Sequence, residues 1–237
     1  MPDRVLQPVA LRLFAALRQR QYQRASAIIK AAMDKHCPEY IHLDLILPVT
    51  GLLASHVARG ITAPDAGNAA FDFLRAQLVL VRKLFDRRQP LGRTLLATTL
   101  PGEMQVVGLD IICDWLWRDG WDILRPADNA DEAAITAQVL DNQPDVLAFS
   151  CTLPRQIAIA RRIIRSVRQH GYENKICIGG MAINAYPELL GKSLADQTAP
   201  DITAFVLQLA RDFHYATAMP SELIAQRPEP STDVVEN

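Results

Sequence analysis

The chain has 237 residues, of which 49% are hydrophobic and 22% are charged, and its net charge is −1. This length allows one large core or two modest ones, and the composition is that of a folded globular protein, not a disordered one. Its four cysteines form no C-x-x-C pair, which argues against a zinc site or a disulfide framework. No signal sequence and no apolar run approaching ~18 residues is evident, so a cytoplasmic protein without membrane contact is expected.

Charge is distributed unevenly along the chain. Residues 1–92 carry 13 Lys/Arg against 7 Asp/Glu, a balance of +6, whereas residues 93–237 carry 12 against 19, a balance of −7. This change of sign predicts two units with different surfaces. The basic half could meet nucleic acid or an acidic partner, or it could pack against the acidic half of its own chain.

The first ninety residues carry apolar side chains at helical spacing. Two amphipathic stretches precede Pro38, which interrupts the second, and a third stretch covers residues 40–60. Thr62 is predicted to cap a fourth helix that has Pro64 in its first turn. Four helices with short connections predict an all-α four-helix bundle over residues 1–90.

From Arg93 onward, short apolar runs alternate with amphipathic ones. The strand-like runs are 94–98, 121–124, 146–150 and 176–178, and the helix-like runs are 106–118, 131–141, 156–170 and 201–213. Because these strands lack polar alternates, both of their faces should be covered, which predicts an α/β domain with a doubly wound parallel sheet over residues 93–213. The proline-containing residues 217–237 are predicted to form a disordered tail.

Three loops of the predicted sheet carry polar or glycine residues directly after a strand. Ligands of open parallel sheets bind beyond the carboxyl ends of the strands, so these loops form a candidate site. Each feature also has a simpler explanation, since glycine pairs suit any strand-to-helix turn and a serine there often caps a helix. The candidate residues are Glu103, Gln105 and Gly108 in the first loop, Ser150 and Thr152 in the second, and Gly179 and Gly180 in the third.

Two side-chain groups near the first loop have structural explanations. Asp110 and Asp114 are four residues apart and predict a solvated helix face. Trp115, Trp117 and Trp121 bracket a helix end, which favours core and interface packing over an aromatic cofactor site.

The order and spacing of the three loops resemble the B12-binding domain family. Its signature Asp-x-His-x-x-Gly corresponds to Glu103-x-Gln105-x-x-Gly108, and its Ser-x-Thr and Gly-Gly loops correspond to Ser150-x-Thr152 and Gly179-Gly180. The resemblance implies a flavodoxin- or Rossmann-like cobalamin-binding fold in which the nucleotide tail lies between the sheet and a helix. A helical bundle precedes this domain in methyl-transfer proteins and light-sensing regulators, where it covers the upper face of the corrin.

Gln105 stands where that family has the histidine that binds cobalt from below. A carboxamide is a poor cobalt ligand because it offers a neutral oxygen or a non-basic nitrogen, so a methyl carrier would be missing an expected ligand. His56 is the candidate metal ligand instead, because it lies near a bundle position that faces the corrin in the family. A histidine packed inside the bundle is its simpler explanation.

These features favour a non-enzymatic sensor or regulator that binds a tetrapyrrole, responds to light or redox state, and acts on a regulatory protein partner such as a transcription factor. Cobalamin is the expected cofactor, with haem or a bilin as alternatives. Other functions that remain open are a corrinoid carrier subunit of a methyltransferase and a degenerate interaction domain without ligand. The sequence holds no nucleophile motif and no nucleic-acid-binding motif. A homodimer is also expected.

Overall fold

The computed structural model describes residues 8–103, 106–127, 130–186 and 195–219. The N-terminal region is helical, as predicted. Helix α1 spans Pro8–Arg18, α2 spans Tyr22–Met33, and α5 spans Pro64–Arg82. Between α2 and α5 lies one continuous helix built from α3 (Pro38–Tyr40), a π-helical segment (Ile41–Ile46) and α4 (Leu47–Ala58).

The start of α5 differs from the prediction. Ala63, not Thr62, is the N-cap residue, and it makes no side-chain capping bond. Pro64 occupies the first helical turn, where its missing N–H costs nothing. Thr62 is nevertheless largely buried, with 9% of its surface exposed.

The continuous helix Pro38–Ala58 is more apolar than the sequence pattern predicts. It has 21 residues and a mean hydropathy of 1.5 in its most apolar window, which is sufficient to cross a membrane by length and composition. Half of that window is buried inside the protein, and the central helix of a bundle meets the same criteria. The buried residues include Ile41, His42, Leu45 and Leu53, which belong to the bundle core.

The α/β region contains a five-stranded parallel sheet, which confirms the predicted doubly wound fold. Asp131 and Asp201 cap the helices that follow them by accepting hydrogen bonds from the backbone N–H groups of Ala134 and Ala204. The strands are β1 (Thr94–Thr99), β2 (Asp122–Leu124), β3 (Val146–Ser150), β4 (Lys175–Gly179) and β5 (Gln197–Ala199). Their order in the sheet is β2-β1-β3-β4-β5. The helices are α6 (Val107–Arg118), α7 (Glu132–Asn142), α8 (Pro154–Gln169), α9 (Met181–Ala185) and α10 (Ile202–Asp212).

Two hydrophobic cores lie on opposite faces of the sheet. Helices α7 and α8 cover one face. On the other face, α6 and α10 pack on the sheet, and the buried side chains of the bundle join them in a single continuous cluster. Trp115 of α6 is fully buried in this cluster, as is Trp121 after it.

The segment between the bundle and the sheet is tied to the turn after α6. The backbone N–H of Arg88 donates to the carbonyl of Arg118 at 2.8 Å, and that of Leu91 donates to Gly120 at 3.0 Å. The C-terminal residues reach the same turn, because Thr217 and the backbone N–H of Ala218 both bond the Asp119 carboxylate. The predicted disordered tail thus begins with residues packed on the protein, and residues 220–237 lie outside the described ranges.

Candidate functional site

The carboxyl ends of three neighbouring strands bring the candidate loops together. Ser150 at the end of β3 pairs in register with Thr99 of β1 on one side and with Gly179 of β4 on the other. The three loops therefore leave the sheet side by side at one edge, where ligands of this fold class bind.

Hydrogen bonds join the first loop to the second. Glu103 is only 8% exposed, and its Oε2 accepts a bond from the backbone N–H of Thr152 at 3.0 Å. The same N–H also donates to Oε1 of Gln156 at 2.9 Å, and Leu153 N–H donates to that oxygen as well, also at 2.9 Å. The acidic residue of the family motif thus holds the start of α8 in place.

Gln156 is a site residue that the sequence pattern did not predict. Its side chain is fully buried, and because Oε1 accepts two backbone bonds, the amide orientation is fixed. Its Nε2 donor has no hydrogen-bond partner among the described residues. An orphaned buried donor of this kind fits a site that receives an acceptor from a ligand or water. A glutamine three residues after a helix N-cap is a recognised capping signal and could have drawn attention to it.

The second and third loops also contact each other directly. Cys151 donates its backbone N–H to Gly179 at 2.9 Å, and Ala182 donates to Cys151 at 3.0 Å. Gly180 has a φ of 106°, and a Cβ there would lie 2.4 Å from the carbonyl oxygen of Cys151. The contact between the two loops therefore suffices to explain this glycine.

Gly108, the glycine of the first loop, is not constrained by a close contact as Gly180 is. Gly108 lies in the first turn of α6, and a Cβ at this position would meet nothing within 4 Å. The surface beside the first loop is thus open at this point. Gln105, the candidate residue at the histidine position of the resembling motif, lies outside the described residues.

His56 lies in the bundle near the end of α4. Its ring contacts Phe14 of α1 edge-on, with 4.9 Å between ring centroids, and its Nδ1 is buried without a hydrogen-bond partner among the described residues. The structure thus brings Glu103, Thr152 and the strand-end residues to one edge, and it places His56 against an aromatic ring. Within the described ranges, no group of three His, Cys, Asp or Glu side chains could hold a metal ion.

A cluster of polar side chains lies between the bundle and α6. It shows that the solvated helix face predicted for Asp110 and Asp114 was wrong. Asp114 is buried rather than solvated, because the bundle packs over this face of α6. Its Oδ1 lies 3.5 Å from Arg82, and its Oδ2 lies 3.8 Å from Nε2 of His42. Burial raises the pKa of Asp114 from 3.8 to about 7, and burial likewise lowers the pKa of His42 from 6.5 to about 3.

Beside this cluster is a groove of about 730 Å³ between α5, α6 and β2. Asp110 bridges two guanidinium groups on its wall, with 2.8 Å to Arg75 and 3.0 Å to Arg125. Arg82 stacks over the ring of Trp117 at 4.2 Å from its centroid. None of the candidate loop residues lines this groove, so it is distinct from the strand-end site.

Comparison with known proteins relates the α/β region to a known domain family. Residues 93–202 match the model of the B12 binding domain. No curated protein is detectably similar in sequence to the chain. The fold is similar to that of the monomethylamine corrinoid protein of Methanosarcina barkeri, with a TM-score of 0.70 and 13% identity over 86% of this chain and 97% of that chain.

Two other solved structures have TM-scores below 0.5 with this chain. One is a novel cobalamin-binding protein from Desulfitobacterium hafniense DCB-2, with a TM-score of 0.46 and 15% identity over 85% of this chain and 96% of that chain. The other is the methanol:cobalamin methyltransferase complex of Methanosarcina barkeri, with a TM-score of 0.47 and 12% identity over 95% of this chain and 88% of that chain. From the family match and the parallel sheet whose strand-end loops carry the motif positions, we conclude that this chain contains, over residues 93–202, a domain of the B12 binding domain family.

Proposed function

We propose that the protein binds cobalamin at the carboxyl edge of its sheet and acts as a non-enzymatic regulator through a protein partner. The observation that carries the proposal is the fully buried Gln156, whose oriented Nε2 donor lacks a partner among the described residues. It lies in a turn that Glu103 also holds, within a domain of the B12 binding family. An amide or phosphate oxygen of a nucleotide tail would satisfy this donor.

A regulatory role fits the sequence of the first loop better than methyl transfer does. Cobalamin, when bound, supplies a cobalt centre that responds to light and to redox state. A carrier that cycles cobalt between oxidation states needs a lower ligand, and Gln105 is a poor one. The corrinoid carrier thus becomes the second candidate, and a ligand-free interaction domain the third. A cytoplasmic location and an association with a transcription regulator complete the proposal.

Cofactor loading tests this proposal. Hydroxocobalamin, haemin and biliverdin are added separately to the purified protein, and absorbance is recorded after desalting. We expect only the cobalamin sample to retain its chromophore, in a ratio near one per chain. Co-elution of haemin or biliverdin alone would show that this compound, and not cobalamin, is the cofactor. If the protein retains none of the three, the ligand-free interaction domain becomes the favoured function.

A matched pair of glutamine variants tests the role of Gln156. Gln156→Leu removes the buried donor and the acceptor of two backbone bonds, so we expect cobalamin retention to fall at least about tenfold, which is the effect of losing a buried polar partner. Gln169→Leu changes the same residue type at the exposed end of α8 and should bind normally. Equal retention by both variants would contradict the assigned site.

A further inference from the structure

Helix α5 carries a cluster of exposed apolar residues in its last turns. Val79 is 61% exposed, Leu80 is 41% exposed, and Leu84, just past the end of the helix, is 43% exposed. Single exposed apolar residues are common on protein surfaces, but a contiguous group of large ones usually marks an interaction site.

One exposed stripe of α5 has a charged residue at each end and apolar residues between them. Asp72, Ala76, Val79 and Lys83 are all exposed and follow one another at intervals of four, three and four residues, so they form one stripe along the helix. Lys83 keeps helical backbone angles as the C-cap residue, so it continues the stripe. Among the described residues, neither Asp72 nor Lys83 has an ion-pair or hydrogen-bond partner.

The stripe is complementary to itself when it is reversed. In an antiparallel pair of α5 helices, a two-fold axis between Ala76 and Val79 places each Ala76 opposite the other copy's Val79. The same axis places Asp72 of each copy opposite Lys83 of the other, about 8 Å along the helix from the axis. Two-fold interfaces require this kind of self-complementarity, in which residue i meets j and j meets i.

We propose that the exposed stripe of α5 is the contact through which two copies of this chain associate. Val79 and Ala76 form the apolar centre, and the Asp72–Lys83 pairs fix the antiparallel register. Leu80 extends the apolar area beside the stripe. Because the contact is confined to one helix, it is small compared with a standard interface, and we expect a dimer that dissociates on dilution. The proposal does not depend on cofactor binding.

Sedimentation velocity of the full-length chain over a range of concentrations tests the proposal. The wild-type protein should form a reversible dimer. Val79→Glu places a carboxylate in the apolar centre and should leave only monomer, whereas Leu11→Glu, at a 48% exposed apolar position on α1, should leave the dimer intact. Far-UV circular dichroism confirms that both variants are folded.

Exchanging the charges of Asp72 and Lys83 provides a second test, in which recovery of the dimer by mixing two variants cannot result from a folding defect. Asp72→Lys and Lys83→Asp should each weaken the dimer about tenfold, because each variant places like charges opposite one another twice. An equimolar mixture of the two variants should recover the dimer, since every contact then joins opposite charges. Failure of the mixture to recover it, a dimer unaffected by Val79→Glu, or a wild-type monomer at all concentrations would overturn the proposal. In the last case, the stripe would belong to another protein or to another part of the chain.

Discussion

The indole N–H of Trp115 donates a 3.0 Å hydrogen bond to Nδ1 of His42, and both side chains are fully buried. This bond joins the central helix of the bundle to α6 of the α/β domain. It also fixes the tautomer of the neutral histidine, whose Nε2 then carries the proton and points toward Asp114. The interface between the two regions is therefore a polar network enclosed in an apolar core.

Replacement of Trp115 should destabilise this interface more than replacement of a neighbouring tryptophan. Trp115→Phe removes buried volume and leaves Nδ1 of His42 without a donor, which should lower the free energy of unfolding by about 2–4 kcal/mol. Trp117→Phe loses only part of a stacking contact with Arg82 at a partly buried position, so the loss should stay below about 1 kcal/mol. Urea unfolding followed by circular dichroism measures both values, and similar losses would contradict the role given to Trp115.

The stability of the protein should depend on pH through Asp114. Its pKa is 3.8 in the unfolded chain and about 7 in the folded protein, so the folded state holds the proton more tightly. The stabilisation that the protonated Asp114 carboxyl gives the folded state is fully present below about pH 4 and is lost as the pH rises through 7. The free energy of unfolding of Asp114→Asn should therefore increase relative to wild type between pH 4 and 7, by at most about 1.4 kcal/mol per pH unit.

His42 should show the opposite dependence. Its pKa falls from 6.5 to about 3 on folding, so the folded state binds the proton less tightly than the unfolded chain does. That contribution is present above pH 6.5 and is lost as the pH falls toward 3. His42→Gln should thus lose stability relative to wild type as the pH rises from 3 to 6.5. Denaturation at several pH values compares the two variants, and slopes of the same sign would refute the assignment.

Two glycine substitutions should have effects of opposite sign. Gly180→Ala forces a side chain into a backbone with φ of 106° and against Cys151, so it should destabilise the protein by at least about 2 kcal/mol and separate the second and third loops. Gly51 lies exposed in α4, where an added Cβ meets nothing within 4 Å. Gly51→Ala should stabilise the helix by about 0.5–1 kcal/mol. Thermal unfolding distinguishes these outcomes, and a stable Gly180→Ala protein would contradict the loop contact.

Gln105→His should strengthen cofactor binding, unlike most substitutions in a binding site. The imidazole restores the nitrogen ligand of the family motif, so hydroxocobalamin should bind more tightly and show a shifted absorption spectrum. Gln105→Leu provides a control that removes the amide without adding a ligand. Identical spectra and affinities for the histidine variant and the wild type would show that this loop position does not face the metal.

Much of the fold follows from the spacing of apolar residues. The helical period of residues 8–82 and the short apolar runs after Arg93 predict the bundle and the parallel sheet, because burial on one face or two faces leaves a clear pattern. Spacing does not reveal which neighbour covers a helix face, and the solvated face predicted for Asp110 and Asp114 was wrong for that reason. The capping role predicted for Thr62 failed because Pro64 sets the helix start one residue later.

The candidate site was partly predictable. The motif positions Glu103, Thr152 and Gly180 stand out because strand ends converge at one edge of a parallel sheet. Gln156 did not, because its position three residues after the helix N-cap indicates a capping role but not burial, and only the fold shows that its amide is enclosed. The assignment of His56 to a metal stays a prediction, as does the role of Gln105.

The helical bundle and the α/β domain depend on each other for stability, because they share one hydrophobic core and a hydrogen-bonded connecting segment. Because the buried side chains of the bundle and of one sheet face form one cluster, removal of residues 1–90 would expose a broad apolar surface on α6. The connecting segment around Arg88 and Leu91 is hydrogen-bonded to the turn after α6, so we expect it to resist proteolytic cleavage. The two halves should therefore unfold together in one cooperative transition, and neither should be soluble when expressed alone.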